Sequence, residues 1–157
     1  VADAPPHDLV RDDLGWLALA CDLARLCPPS RTAFSVGAVV VDADGREIAR
    51  GFSREKDPHD HAEESALAKA GGGLAGATVY SSLEPCGDRA SRPRPCAELI
   101  VASGAGRVVF AWREPTLFAE GTGAEILAAA GVALVELPEL AGRAREPNAH
   151  LLRGPGG

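Results

Sequence analysis

Residues 61–86 read HAEESALAKAGGGLAGATVYSSLEPC, and the fold can be worked out from them. Ala62 to Ala70 are strong helix formers, and Gly71-Gly72-Gly73 stops the helix they predict. Thr78 to Ser82 is β-branched and aromatic, which predicts a strand running straight into Leu83-Glu84-Pro85-Cys86. Upstream, Ser35 to Asp42 (SVGAVVVD) is nearly all apolar, as in a strand buried on both faces. A turn at Ala43-Asp44-Gly45 returns the chain through Glu47 to Phe52, giving a hairpin. The polar loop Ser53 to Asp60 then delivers His61. Farther upstream, Leu9, Val10, Leu14, Leu17, Ala20, Ala24 and Leu26 fall near helical spacing and predict a helix over about 8–26, closed by Pro28-Pro29-Ser30. Downstream, the pattern predicts a helix from Cys96 to Ser103 and a strand from Arg107 to Ala111. A helix from Gly123 to Ala130 and a strand from Val132 to Leu137 follow. The tail from Pro138 reads as part helical, interrupted by Pro147, with a frayed end at 154–157. Alternating helices and strands after a hairpin imply an α/β fold with a largely parallel sheet covered on both faces. Sites in such sheets lie at the carboxyl ends of the strands, where both His61 and Cys86 fall.

One imidazole (His61) and two thiols (Cys86 and Cys96) make a three-donor set for Zn2+. A zinc ion held that way keeps a fourth position for water, as catalytic sites do and structural sites do not. Glu63 has no ligand duty and is free to move protons for that water. Cys96 opens a helix and Cys86 lies near the same end, where the helix dipole favours thiolate over thiol. Each residue alone has an ordinary explanation: a surface histidine before a helix, or a pair of buried thiols. Their conjunction at one strand end and two helix starts points to catalysis. Cys21 and Cys27 lie on or beside an apolar segment and read as small buried thiols.

At 157 residues the chain is expected to form a single domain, 1–157. Its apolar share of 46% and charged share of 24% are those of an ordinary globular protein. A net charge of −6 argues against a surface built to grip nucleic acid, so a small molecule is the expected partner. No apolar run approaches the roughly 20 residues that span a bilayer. The first residues carry no basic region before an apolar stretch, so no secretory signal is expected. A cytoplasmic location is expected, and in such a chain four cysteines favour metal or catalysis over disulfides.

The run SLEPCGDRASRPRPCAELIVASGAGRVVFA, with HAEESALAKAGGGLAGATVYSS before it, closely resembles the cytidine-deaminase-like superfamily. Within it the chain is most similar to the deaminase half of the bifunctional riboflavin-biosynthesis deaminase–reductase, here expected to stand without its reductase half. The long loop from Gly87 to Pro95, ending Arg92-Pro93-Arg94-Pro95-Cys96, carries that likeness. The resemblance covers roughly residues 9–137 and implies a three-layer α/β/α sandwich on a five-stranded mixed, mostly parallel sheet. It implies that His61, Cys86 and Cys96 bind zinc, that Glu63 is the proton shuttle, and that the chain forms a homodimer. It places Arg92 against the ribose phosphate of a substrate, with Arg89 and Arg94 as neighbours. Ala33 stands where that family has an asparagine that helps to hold substrate, and Phe34 beside it reads as core or as a ring face for a base. Glu114 stands in place of an aspartate after the fourth strand, and His59 is added in the loop before His61. Ala62, inside the His-x-Glu motif, is counted with these substrate-facing positions. The expected activity is zinc-dependent hydrolytic deamination of an aminopyrimidine nucleotide or nucleoside of the riboflavin pathway, releasing ammonia. Cytidine, deoxycytidylate, cytosine and guanine are alternative substrates. An enzyme that edits transfer RNA and a non-catalytic zinc fold are more distant readings.

Overall fold

The structure is a computed structural model that describes residues 12–87, 94–113 and 123–152. Helix α1 (Asp13–Ala24) begins at Asp12, whose side chain accepts the Gly15 N–H at 2.9 Å. This satisfies one of the amides that a helix start leaves open. Strands β1 (Gly37–Val41) and β2 (Glu47–Phe52) form the hairpin. Helix α2 (Ala62–Ala70), strand β3 (Thr78–Leu83) and helix α3 (Cys96–Ser103) follow. The chain continues through β4 (Arg107–Trp112), α4 (Gly123–Ala129) and β5 (Ala133–Glu136). A 3-10 turn then leads into α5 (Ala141–Arg145), and a second one at Glu146–Asn148, holding Pro147, separates α5 from α6 (Ala149–Leu152).

The strands lie in the order β2-β1-β3-β4-β5. β1 is antiparallel to both of its neighbours, whereas β3, β4 and β5 run parallel. β2 therefore points the same way as β3, β4 and β5, and β1 alone opposes them. This is the mixed, mostly parallel sheet expected from the sequence, with the carboxyl ends of four strands on one edge. The helix between β4 and β5 is the crossover that keeps those two strands parallel. Every residue of β1 and β3 is buried, as two-sided coverage requires. Helix α1 and α5 cover one face, and α2, α3 and α4 cover the other. Among the described residues, no helix is long and apolar enough to cross a membrane.

The first helix differs from its expected form. Leu14 and Leu26 are exposed, and the buried stripe is Trp16, Leu17, Ala20, Cys21, Leu23 and Ala24. Leu26 lies beyond the end of α1, and Leu9 and Val10 lie outside the described residues. Leu17, Ala20 and Ala24 are buried as the spacing predicts, and Trp16, Cys21 and Leu23 complete the face.

Two glycines set the distance between helices and sheet. A Cβ on Gly37 would meet Ala20 O at 1.9 Å, and a Cβ on Gly51 would meet Ala66 N at 2.7 Å and Ala62 O at 2.8 Å. Because the facing atoms are helix backbone, no side-chain rotation relieves the clash. Gly51→Ala is therefore expected to cost about 1–3 kcal/mol by overpacking. The strain would fall on the first turn of α2, so zinc affinity should drop along with the melting temperature; calorimetry with metal analysis reads both.

At the opposite edge of the sheet, Asp13 ties α1 to two strands. Its Oδ1 accepts the Tyr80 hydroxyl at 2.6 Å and Arg107 Nη2 at 2.8 Å, while Oδ2 accepts Arg107 Nη1 at 2.8 Å. These bonds, led by that from Arg107, hold the Asp13 carboxyl below its ordinary 3.8. A lowered folded-state value means stability that is present above the unfolded value and lost as pH falls through the folded one. Because the pair is partly exposed, solvent screening limits its worth to about 1 kcal/mol. Asp13→Asn should cost that much near neutrality and nothing once the wild-type carboxyl is protonated. Urea melts from pH 7 down to pH 2 check this.

Candidate active site

The carboxyl edge of the sheet gathers the chemistry. β3 ends at Leu83 and passes through Glu84 and Pro85 to Cys86, which meets the first turn of α3. There the Cys96 N–H donates to Cys86 Sγ at 3.2 Å and the Ala97 N–H donates to Cys86 O at 3.1 Å. From the adjoining helix start, His61 brings Nδ1 to 3.5 Å from Cys86 Sγ and 3.4 Å from Cys96 Sγ. His61 is the N-cap of α2, and its own N–H donates to Glu64 Oε1 at 3.3 Å. Within this trio all three donor atoms lie within 4.8 Å of one another, the one such group among the described residues. Zinc bonds of about 2.3 Å to sulfur and about 2.0 Å to nitrogen, set tetrahedrally, place S and N about 3.5 Å apart. The donor set fits the metal in both type and spacing. Cys21 is buried in the core, and Cys27 Sγ donates to Val36 O at 3.5 Å; neither joins the group.

The Cys86 thiol is pulled down to about 4, first by its hydrogen bond with the Cys96 thiol and then, against burial, by His61 and the Cys96 N–H. Such a sulfur is a thiolate at neutral pH, the form that ligates metal. Glu63, in the first turn of α2, is only 4% exposed. Burial, reinforced by the Cys86 charge, pushes its carboxyl up to about 7 in the metal-free chain. The Ser81 hydroxyl lies 2.7 Å from Leu83 O and 3.3 Å from Glu63 Oε2. It has one proton to give, and the shorter contact is with Leu83. Glu63 is thus a buried carboxyl whose surroundings raise its hold on a proton, which suits a proton carrier.

His61, Glu63 and Cys86 line a cleft of about 330 Å³, together with Ala33, Phe34, His59, Asp60 and Ala62. Phe34 takes part in the packing. It packs edge-on against Trp112 at 5.4 Å between centroids and also faces the cleft. Arg94 does not line the cleft; its Nη2 donates to Glu98 O at 3.4 Å. Arg89, Arg92 and Glu114 lie outside the described residues.

Sequence reading gave no role to two residues that build this site. Glu84, 3% exposed, donates its N–H to Trp112 O at 2.8 Å, and its Oε2 accepts the Ala124 N–H at 3.0 Å. It fixes the strand end that carries Cys86 between β4 and α4. Its place in Leu-Glu-Pro-Cys was the available signal. Arg54 has φ 58°, a backbone region that side chains seldom adopt. Its guanidinium donates to Pro28 O at 2.8 Å, Phe34 O at 3.1 Å and Ser35 Oγ at 2.7 Å, pinning the Phe34 wall. Nothing in its sequence neighbourhood predicts that reach.

Three donors with an open side and a buried carboxyl at their edge, on a three-layer α/β/α fold, are the build of a metal-dependent hydrolase. The family described as the cytidine and deoxycytidylate deaminase zinc-binding region matches residues 10–112, and the chain belongs to that family. It is 36% identical over 126 residues to the diaminohydroxyphosphoribosylamino-pyrimidine deaminase of Schizosaccharomyces pombe, an alignment that takes in 77% of this chain and 31% of that protein. It is 40% identical over 124 residues to the riboflavin biosynthesis protein RibD of Aquifex aeolicus, covering 76% of this chain and 33% of the relative. Among solved structures, RibD of Acinetobacter baumannii superposes with a TM-score of 0.78 at 34% identity, covering 89% of this chain and 39% of that one. The chain thus spans about a third of the length of the curated relatives it matches.

Because binding to the folded state alone stabilises it, zinc at 100 times its dissociation constant should add about 2.7 kcal/mol to the metal-free protein. Cys96→Ala should abolish that response to added zinc. Thermal melts with and without the ion check this independently of any substrate.

Proposed function

We propose that this chain is a zinc-dependent hydrolytic deaminase of an aminopyrimidine nucleotide of the diaminohydroxyphosphoribosylaminopyrimidine kind. The observation that carries the reading is the approach of His61 Nδ1 to both cysteine sulfurs, with the buried Glu63 beside them. The choice of substrate rests on the relatives, two of which carry that deaminase or the riboflavin pathway in their names. His61, Cys86 and Cys96 hold the zinc, which when bound supplies the Lewis acidity that makes water nucleophilic at neutral pH. Water adds at the amidine carbon bearing the exocyclic amine, the C–N bond breaks, and a carbonyl and ammonia result. Glu63 takes a first proton from that water and passes it to the ring nitrogen, then takes the second from the hydroxyl of the adduct and delivers it to the departing amine. Its burial keeps bulk water from competing for those protons.

The ring of the base sits against Phe34 and Ala33 with Ala62 beneath, and His59 reaches the sugar side. Arg92 and Glu114 complete the substrate contacts in this reading. Ala33 leaves more room than an asparagine would and offers no amide, which favours cytidine, deoxycytidylate, cytosine or guanine as the second substrate class to test. Location in the cytoplasm and a homodimeric state belong to the same proposal. Four cysteines without a disulfide support the former, and sedimentation tests the latter.

The zinc-loaded protein is expected to release ammonia from the aminopyrimidine phosphoribosyl compound. Turnover of a cytosine compound or guanine in its place would reassign the substrate. Glu63→Ala should keep its zinc and lose activity by about 10²–10⁴-fold, the usual worth of a positioned acid–base group. A Glu63→Ala enzyme with wild-type turnover would remove the proton-carrier role.

A further inference from the structure

The wall of the cleft made by Thr32, Ala33, Phe34 and Val36 belongs to a stretch between α1 and β1 with no helix or strand of its own. Such a stretch keeps one position only if other parts of the fold hold it. Arg54 holds it from the cleft side, as described above. The C-terminal segment 138–152 holds it from behind. Asn148 is 1% exposed, and its Oδ1 accepts the Ser35 N–H at 2.6 Å while its Nδ2 donates to Ser35 O at 2.9 Å. One side-chain amide thus satisfies both backbone groups of the residue between Phe34 and Val36, as a neighbouring β-strand would. Nδ2 also lies 3.3 Å from Ala144 O, which anchors the amide to α5. Two residues on, His150 Nε2 donates to Ser30 O at 2.6 Å. The Arg145 guanidinium stands 5.8 Å from the centre of the Trp112 ring, the ring against which Phe34 packs. No residue of 138–152 is among those that line the cleft.

We propose that Asn148 is a positioning residue for substrate. Through it, and secondarily through His150, the C-terminal segment sets the place of the 32–36 wall and so the affinity for the base, without touching the substrate. The argument has a physical core. A fully buried amide must have its donors and acceptor met. Here they are met by the backbone of a loop residue 113 positions away in sequence. Any displacement of the wall would leave Asn148 and Ser35 unpaired together, so the two sides have one shared resting place. The zinc donors sit on α2, α3 and the end of β3, which this segment does not contact through those bonds. The proposal rests on the deaminase reading for its substrate, and on geometry alone for the clamp.

The test compares zinc-loaded wild type, Asn148→Ala, Asn148→Asp and His150→Ala. In Asn148→Ala the KM for the aminopyrimidine substrate should rise about tenfold, the equivalent of one buried hydrogen bond, with kcat per bound zinc unchanged. His150 is exposed, so His150→Ala should fold normally and raise KM by about two- to threefold, the scale of a weak exposed bond. Asn148→Asp keeps the acceptor for the Ser35 N–H but sets its second oxygen against the Ser35 and Ala144 carbonyls, so its KM should rise at least as far as that of Asn148→Ala. Hydrogen exchange at the Ser35 amide should quicken in Asn148→Ala, while Val79 and Val109 in the central strands keep their protection. A merely destabilised enzyme has fewer active molecules, which lowers kcat at constant KM; that pattern, or an unchanged Ser35 amide, would overturn the proposal. If Asn148→Ala does not fold, the other two variants decide it by the same readouts. If wild type turns over none of the aminopyrimidine compound, the substrate reading falls, and exchange at Ser35 still decides the clamp.

Discussion

The meeting of two helix N-termini at the end of one strand governs the rest of this molecule. α2 presents His61 and α3 presents Cys96, and both converge on Cys86 as it leaves β3. A thiolate is costly to bury unless it is paired or hydrogen-bonded. Here it receives the Cys96 N–H and lies against an imidazole and a second thiol. Those bonds are available only if β3 stops where it does and both helices begin within a few ångströms of its end. Gly51 permits the close approach of α2, and Glu84 ties the strand end to β4 and α4. The geometry of the donor set is thus a property of the packed sheet rather than of the loops around it.

The same packing creates the carboxyl that the chemistry needs. Glu63 is raised because it is buried first and because Cys86 is charged second, so the donor trio and this carboxyl are electrostatically one unit. Removing burial at either would alter both. The far edge of the sheet shows the contrasting case: the Asp13–Arg107 pair is partly exposed, its carboxyl is lowered rather than raised, and it serves to fasten α1. Two acidic residues on one fold are pushed in opposite directions by what surrounds them.

What could be read from the sequence follows from how local each cause is. Strands β1 and β3 announce themselves through apolar and β-branched runs because burial on both faces leaves no polar position. α2 and α3 were located to the residue because strong helix formers are bounded by a ligand at one end and glycine at the other. The metal donors were legible because zinc accepts few ligand types, and His-x-Glu with Pro-Cys has few other uses. α1 was less well read: leucines at helical spacing drew the face toward Leu14 and Leu26, while the packing uses Trp16 and Cys21. The pocket wall was legible only through the family resemblance. That Ala33, Phe34 and His59 face the same cleft follows from a loop path that no periodicity encodes.

The donor trio and the cleft wall are held in different ways. Glu63 and Cys96 sit on helices, and His61 and Cys86 lie at the start of α2 and just past the end of β3, so the core fixes their places. The 32–36 wall of the cleft is irregular chain, and its position depends on Arg54, with its uncommon backbone angle, and on a side-chain amide from the end of the molecule. Substitutions in such supports can shift the wall by fractions of an ångström without disturbing the metal site. That side of the cleft is therefore held by contacts between distant residues. Those contacts leave the least trace in a single sequence.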